Sequence, residues 1–452
     1  MAKRSPFLFA KRVLLCGAAV HLASMALAAS PALAADPVNA APWQAVLVSQ
    51  AQGDLRSFYA YRSGPLWVSA DGVPTAAAKS LLELIETSQY DGLDPASIGQ
   101  GELAAAIAEL EQAASPATRA HAELTFSRVF VTYVKDLRDT TRTQMLYEHD
   151  LLRPFVPEAY TSLEEAASAP SLDEYVRGMR WMHPLYAQLR RALLANPAVN
   201  DSVMQVAQAN LERLRALPAD PGSRYVLIDA ASARLWMYEG DRPVDSMKVV
   251  VGKAETQTPI MAGYVRYAVF NPYWNVPTDL IRRNIAPRAR AQGQAYLRRG
   301  GYQIVSEWTS DAEVLASTDI DWRAVEKGQV DLKMRQLPGG TNAMGKVKYE
   351  FPNPQGIYLH DTPDKALMQE DARQFSNGCI RLEDAARLGR WLMEGTLPEV
   401  SSSPEQRVDL PVPVPIYVTY LTARPDGDQL AVGRDPYGLD AAATSNLALN
   451  EK

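Results

Sequence analysis

Cysteine is nearly missing from this chain, since its 452 residues include only Cys16 and Cys379. Cys16 falls in an N-terminal leader, so the processed chain is expected to keep one thiol. That excludes an intramolecular disulfide and leaves no second cysteine to resolve a redox exchange. Histidine is scarce as well, with five in all. His121, His149 and His183 lie in a helical region without H-E-x-x-H or comparable spacing, so they are read as structural; no metal and no other cofactor is expected. Neither Ser-x-x-Lys nor Gly-x-Ser-x-Gly occurs, which argues against the serine enzymes built on those motifs. Charge of one sign is also lacking, because a net charge of −6 gives no reason to expect nucleic acid as a partner. Beyond the leader no apolar run approaches the roughly 18 residues of a membrane span.

What is present at the start is a secretory pattern. Lys3, Arg4, Lys11 and Arg12 precede a short apolar, small-residue run from Val13, which ends at Ala32-Leu33-Ala34. Residues 1–34 are therefore expected to be a cleaved signal peptide. Leu15 before Cys16 is not the small residue that lipoprotein processing prefers, so no stable membrane anchor is expected. A single unpaired thiol in an exported protein is either an inert buried hydrophobe or a working residue, and local sequence must decide between them.

An α+β organisation follows from the periodicities. Apolar residues recur every three or four positions over 76–87, 102–113, 118–137, 171–194 and 203–214, which predicts a mostly helical domain over 35–217. After the turn-rich Leu217-Pro218-Ala219-Asp220-Pro221-Gly222, short β-rich runs take over at 225–229, 234–238, 246–251, 264–271, 349–351, 356–360 and 415–422. They predict a β-rich domain over 218–425. The polar, Arg-rich stretch 278–344 interrupts this rhythm with weak helical signals and reads as an insertion. Residues 426–452 read as a tail, disordered from about Ala441.

The segment that carries chemistry is Gly356-Ile357-Tyr358-Leu359-His360-Asp361, followed by Phe375-Ser376-Asn377-Gly378-Cys379-Ile380-Arg381-Leu382. Side chains alternate along a strand, so Ile357 and Leu359 can face a core while Tyr358 and His360 share an accessible face. Glu383 and Asp384 look like a helix opening, which would place Cys379 near a helix N-terminus. That partial charge, Arg381 and a histidinium would together favour a thiolate–imidazolium pair. The N–H groups of Gly378 and Cys379 are candidates for an oxyanion hole.

His360 through Arg381 resembles the active-site signature of L,D-transpeptidases with a YkuD-type catalytic domain. There a histidine precedes a Ser-x-Gly-Cys-x-Arg element by a short loop. Val251-Gly252-Lys253, Gln257-Thr258-Pro259, Asn271 to Pro277 and Asn342 to Lys346 are similar to the larger Gram-negative members. Tyr61-Arg62, Leu66-Trp67 and Asp91-Gly92-Leu93-Asp94 resemble those members' scaffold domain. Asn377 departs from the pattern, standing where many relatives carry histidine. The roughly 20 residues between Leu194 and Leu214 leave no room for the peptidoglycan-binding module that larger members often carry.

The resemblance implies a periplasmic cysteine acyltransferase acting on peptidoglycan stem peptides. Cys379 would attack a tetrapeptide donor at its third residue, eject D-alanine and hold the acyl group as a thioester. The amine of a diamino-acid acceptor would then form a three-to-three cross-link. His360 would be acid and base, oriented by the backbone carbonyl of Asp361, and carbapenems, which resemble the donor, would acylate the same sulfur. The 278–344 insertion resembles a capping subdomain and is expected to act as a lid. Tyr358, Arg381, Ser376, Asn377, Tyr273, Trp274 and Asn342 are the expected substrate contacts. For the aromatics a place in the core, and for Arg381 a structural salt bridge, stay open. Two other readings also stay open: an L,D-carboxypeptidase or endopeptidase with water as acceptor, and a non-catalytic wall-binding scaffold. Wall-synthesis proteins are candidate partners.

Overall fold

A computed structural model describes residues 42–441 except 63, 142, 197, 198 and 310. The expected signal peptide and the residues from 442 onward lie outside the described set. The fold is α+β, with a helical N-terminal region followed by a β-rich one.

The helices form where the apolar spacing predicts them, with ends set by local chemistry. Ala76–Glu86 starts at a Thr75 cap that accepts the Ala78 N–H, and Pro116–Arg138 starts at Ser115 with proline in the first turn. The expected single helix over 171–194 is instead two, Leu172–Arg177 and Pro184–Leu194. Gly178 ends the first, Met179 follows at φ 46°, and Pro184 can only restart a helix. Two buried carboxylates organise this region. Glu123 accepts the N–H groups of Leu66, Trp67 and Val68 at 2.6, 2.9 and 2.9 Å and the Tyr59 hydroxyl at 2.7 Å. Asp91 receives Arg190 and the hydroxyls of Tyr133 and Tyr186.

The main sheet has ten strands, and its path closes on itself because Gln406–Thr419 pairs with both Met261–Phe270 and Arg224–Asp229. Both faces of its first strands are covered. Tyr225, Leu227 and Tyr238 join the core of the helices, while Val226, Ile228, Leu235 and Met237 fill a second core inside the sheet. Two-sided burial accounts for the unbroken apolar run Tyr225 to Ile228. Helices and sheet thus share one hydrophobic core, and the described residues cluster as one compact unit.

The 278–344 stretch builds a third small core around Ile281, Ile285, Leu297 and Met334. It contains the helix Ala286–Arg299 and the strands Tyr302–Val305 and Lys333–Gln336, joined in one four-stranded sheet with Trp274–Val276 and Val314–Leu315. The tail reading also needs correction. Ala423–Asp426 and Gln429–Val432 form a hairpin, and Tyr437 beyond it is buried.

Candidate active site

Leu359–His360 is a two-residue strand held between Val347–Glu350 and Ile380–Leu382, in register Lys348↔His360 and His360↔Arg381. Its alternation is the one the sequence predicts: Ile357 and Leu359 enter the sheet core, while the rings of Tyr358 and His360 lie 5.8 Å apart on the other side. The side expected to be accessible is not, for His360 is 2% exposed. The strand is interior to the sheet, so its outward residues are covered by neighbours. His360 Nδ1 donates to the Asp361 carbonyl at 2.6 Å, so Nδ1 carries the proton of the neutral ring, because a carbonyl only accepts. Nε2 then carries the lone pair. Burial, reinforced by the nearby Arg381 guanidinium, pushes the imidazole down to about 3.

Cys379 sits in a loop whose shape is set by Ser376. The Ser376 hydroxyl donates to the Cys379 carbonyl at 2.6 Å and accepts the Gly378 N–H at 3.1 Å. Ser376 therefore braces the loop as well as bordering the cavity. The Gly378 N–H is committed to it, so of the two expected oxyanion donors only that of Cys379 is free. Gly378 adopts φ +115°, and a Cβ there would lie 3.1 Å from Ile357 Cδ1. Glycine is required on both counts.

The sulfur is half-buried and turned toward the Gly356 carbonyl at 3.7 Å, making no hydrogen bond to His360. Burial pushes the thiol up, and hydrogen bonds from the Tyr358 backbone and phenol offset this only in part. The expected help from a helix fails on geometry. Cys379 is separated by the strand Ile380–Leu382 from the helix Ala385–Leu392, whose cap is Asp384. Helix-terminal charge fades within about one turn. The resting pair is a neutral thiol and a neutral imidazole, in place of the expected ion pair.

Both groups open into one cavity of ≈ 570 Å³. Tyr358, Arg381, Ser376, Asn377 and Trp274 line it, whereas Tyr273 and Asn342 do not. Tyr273 packs under the Arg335 guanidinium, 4.3 Å from its ring. Asn342 is fully buried, donating to the carbonyls of Pro272, Gln336 and Leu337, and so pins the chain where the insertion rejoins the sheet. The buried Nε of Arg381 has no hydrogen-bond partner, and among the described residues its guanidinium makes no close ion pair, Asp364 acting on it only from a distance. The salt-bridge alternative for Arg381 thus finds no contact among the described residues.

Sequence reasoning missed Lys253, Leu280, Arg283 and Asn284 among the lining residues. Lys253 sat in a segment already singled out. Arg283 and Asn284 belong to a π-helical turn, Ile281–Ile285, for which sequence carries no periodic signal. The charged side chains of the wall, Lys253, Arg283 and Arg381, are all cationic, and no carboxylate side chain shares the lining.

Residues 223–416 match the L,D-transpeptidase catalytic domain family, YkuD, and residues 53–193 match the scaffold domain family. A Haemophilus influenzae protein named as a candidate L,D-transpeptidase is 27% identical over 277 residues, 59% of this chain and 55% of its own. The chain thus spans about half the length of that relative. Among solved structures, an L,D-transpeptidase from Mycobacterium smegmatis is 14% identical with a TM-score of 0.22, covering 43% of this chain and 58% of its own. Another L,D-transpeptidase, solved in complex with imipenem, is 12% identical with a TM-score of 0.22, covering 44% and 59%.

Proposed function

Because this chain joins an L,D-transpeptidase catalytic domain to a scaffold domain, we propose that it is a peptidoglycan L,D-transpeptidase. In this reading it works in the periplasm after loss of residues 1–34 and forms three-to-three cross-links through a thioester on Cys379. The observation that carries the reading is that Cys379 and His360, with the Asp361 carbonyl behind the ring, line one peptide-sized cavity.

The neutral resting pair sets the order of steps. As Cys379 attacks the carbonyl of the donor's third residue, the S–C bond forms and the thiol proton passes to His360 Nε2. The imidazolium gives that proton to the departing D-alanine amine as the C–N bond breaks. The acceptor amine then attacks the thioester, its proton goes to His360, and the sulfur leaves and is reprotonated. No carboxylate need hold the histidine, because the Asp361 carbonyl already fixes its tautomer. The cationic wall suits a donor bearing several carboxylates. The insertion contributes Leu280, Arg283, Asn284, Ala343 and Met344 to the cavity wall, and in this reading shields the thioester from water.

The test is incubation of the purified protein with tetrapeptide muropeptides and separation of the products. Three-to-three dimers that vanish in Cys379→Ala support the reading. Trimmed monomers alone would make it a carboxypeptidase, and no product would remove the enzyme assignment.

A further inference from the structure

The C-terminal residues that the sequence presents as a tail reach the back of the nucleophile loop. Tyr437 is 9% exposed, and its hydroxyl donates to the Gly252 carbonyl at 2.7 Å while accepting the Thr258 N–H at 3.3 Å. Thr258 is also buried. Its hydroxyl accepts the Gly252 N–H at 2.9 Å and donates to the Gly378 carbonyl at 2.7 Å. That carbonyl belongs to the peptide bond joining Gly378 to Cys379. One tyrosine hydroxyl is thus two hydrogen bonds from the peptide that aims the sulfur.

The other end of this arrangement is held by the helical region. The Tyr437 ring stacks on Tyr420 with centroids 5.1 Å apart, and its N–H donates to the Tyr420 hydroxyl at 2.9 Å. Arg213, on the helix Asp201–Arg215, lies 5.2 Å above the Tyr420 ring and pairs with Asp440 at 2.7 Å. Asp440 also accepts the Thr422 hydroxyl at 3.0 Å. Asp435 closes the turn between the two anchors by accepting the N–H groups of Leu439 and Asp440, both at 3.0 Å. The links are largely shielded from water, the setting in which hydrogen bonds hold geometry best.

We infer that Tyr437 is a positioning residue for the Cys379 loop, and that the Asp435 to Asp440 segment straps that loop to the scaffold helix through Arg213. The inference rests on Cys379 being the reactive group, but not on the identity of its substrate. The alternative is that Tyr437 simply fills space, and Tyr437→Phe separates the two because it keeps the ring and deletes only the hydroxyl.

The experiment measures alkylation of Cys379 by iodoacetamide at fixed pH in the wild type, Tyr437→Phe, Arg213→Gln and the double variant, with thermal melts of each. Loosening the loop should free the sulfur from its seat, so each single variant is expected to alkylate about threefold faster or more. The double variant should be no faster than Tyr437→Phe alone, the non-additivity of two residues in one chain of contacts. Where cross-linking can be assayed, kcat should fall about tenfold with KM unchanged, because the sulfur is misplaced and the cavity is not. Wild-type alkylation in Tyr437→Phe overturns the inference. So does strict additivity, or a rate increase that disappears when variants are compared at equal distances below their melting points. Alkylation uses no peptide, so these results stand even if the cross-linking reading fails.

Discussion

The His360 imidazole is held by the residue that follows it, with Nδ1 donating to the Asp361 carbonyl at 2.6 Å while the Asp361 carboxylate points elsewhere, to Lys365 at 2.8 Å and the Lys346 N–H at 3.0 Å. Orientation of the base therefore depends on main chain and not on a carboxylate. Asp361→Asn keeps that carbonyl and is expected to retain activity within about tenfold. His360→Gln removes the proton acceptor and should cost about 10²–10⁴-fold. Cross-linking rates of the two variants check this, and equal losses would mean that the carboxylate takes part.

The neutral resting pair predicts how the thiol titrates. The thiol is raised by burial and His360 is lowered to about 3, so near neutrality neither carries charge. The iodoacetamide rate at Cys379 should keep climbing past pH about 8.5, the ordinary thiol value. Substituting Tyr358 by Phe removes the phenol that donates to the sulfur and should move the midpoint higher. A plateau already reached at neutral pH would instead reveal a resting ion pair.

Gly378→Ala tests the loop. The substitution forces a Cβ into φ +115° and against Ile357 Cδ1, and relief of the backbone strain by a peptide turn would break the Thr258 and Ser376 bonds on either side. Such strain costs on the order of 1–3 kcal/mol. Activity should be lost with the fold retained, as read by circular dichroism beside the cross-linking assay.

Much of this was legible because strands and helices carry periods, and the strand register follows from them. The alternation Ile357, Tyr358, Leu359, His360 told which residues enter the core, and the structure brings the Ser376 to Arg381 segment to the cavity that His360 lines. What stayed hidden was long-range. Nothing local in Ser376 says that its hydroxyl will brace Gly378, and nothing near Tyr437 points to Gly252, 185 residues earlier. The helix starts where Glu383 and Asp384 predict it, but its effect on Cys379 was misjudged because the strand Ile380–Leu382, paired with Arg242–Gly252, stands between the two. Tyr273 and Asn342 were expected at the cavity, but side-chain direction there is decided by Arg335 and by three carbonyls brought from elsewhere in the chain.

Acid should destabilise the fold through its buried histidines. His183 is lowered to about 3 by burial between helices and sheet, where Nε2 lies 3.1 Å from the Tyr225 hydroxyl. An unfolded histidine takes its proton near pH 6.5, so between about 6.5 and 3 the unfolded state binds more protons and is favoured as pH falls. Each such histidine contributes a slope of about 1.4 kcal/mol per pH unit across that window, and nothing above it. Denaturant melts of His183→Gln should show a shallower loss between pH 6 and 4 than the wild type, whatever its stability at pH 7.5.

The cationic wall makes a last prediction about which donors are accepted. Lys253 is half-buried and the buried Nε of Arg381 has no hydrogen-bond partner, and neither side chain makes an ion pair among the described residues, although Asp364 acts on Arg381 from farther off; both line the cavity with their charge open to a ligand. Placing them there costs desolvation that a substrate carboxylate can offset, and a neutral amide in its place leaves the cation unmatched. Donors with free carboxylates should therefore be preferred over the same peptides amidated. Truncating one member of a partly buried charge pair typically costs 2–5 kcal/mol, and partial exposure here brings the expectation to the lower end, about tenfold or more in kcat/KM. Lys253→Met should shrink that preference by slowing the acidic donor while leaving the amidated donor nearly unaffected. Equal slowing of both donors would assign the Lys253 side chain to packing of the cavity wall and not to recognition of charge, because the backbone N–H bond from Lys253 to the Ser376 carbonyl at 3.0 Å survives the substitution.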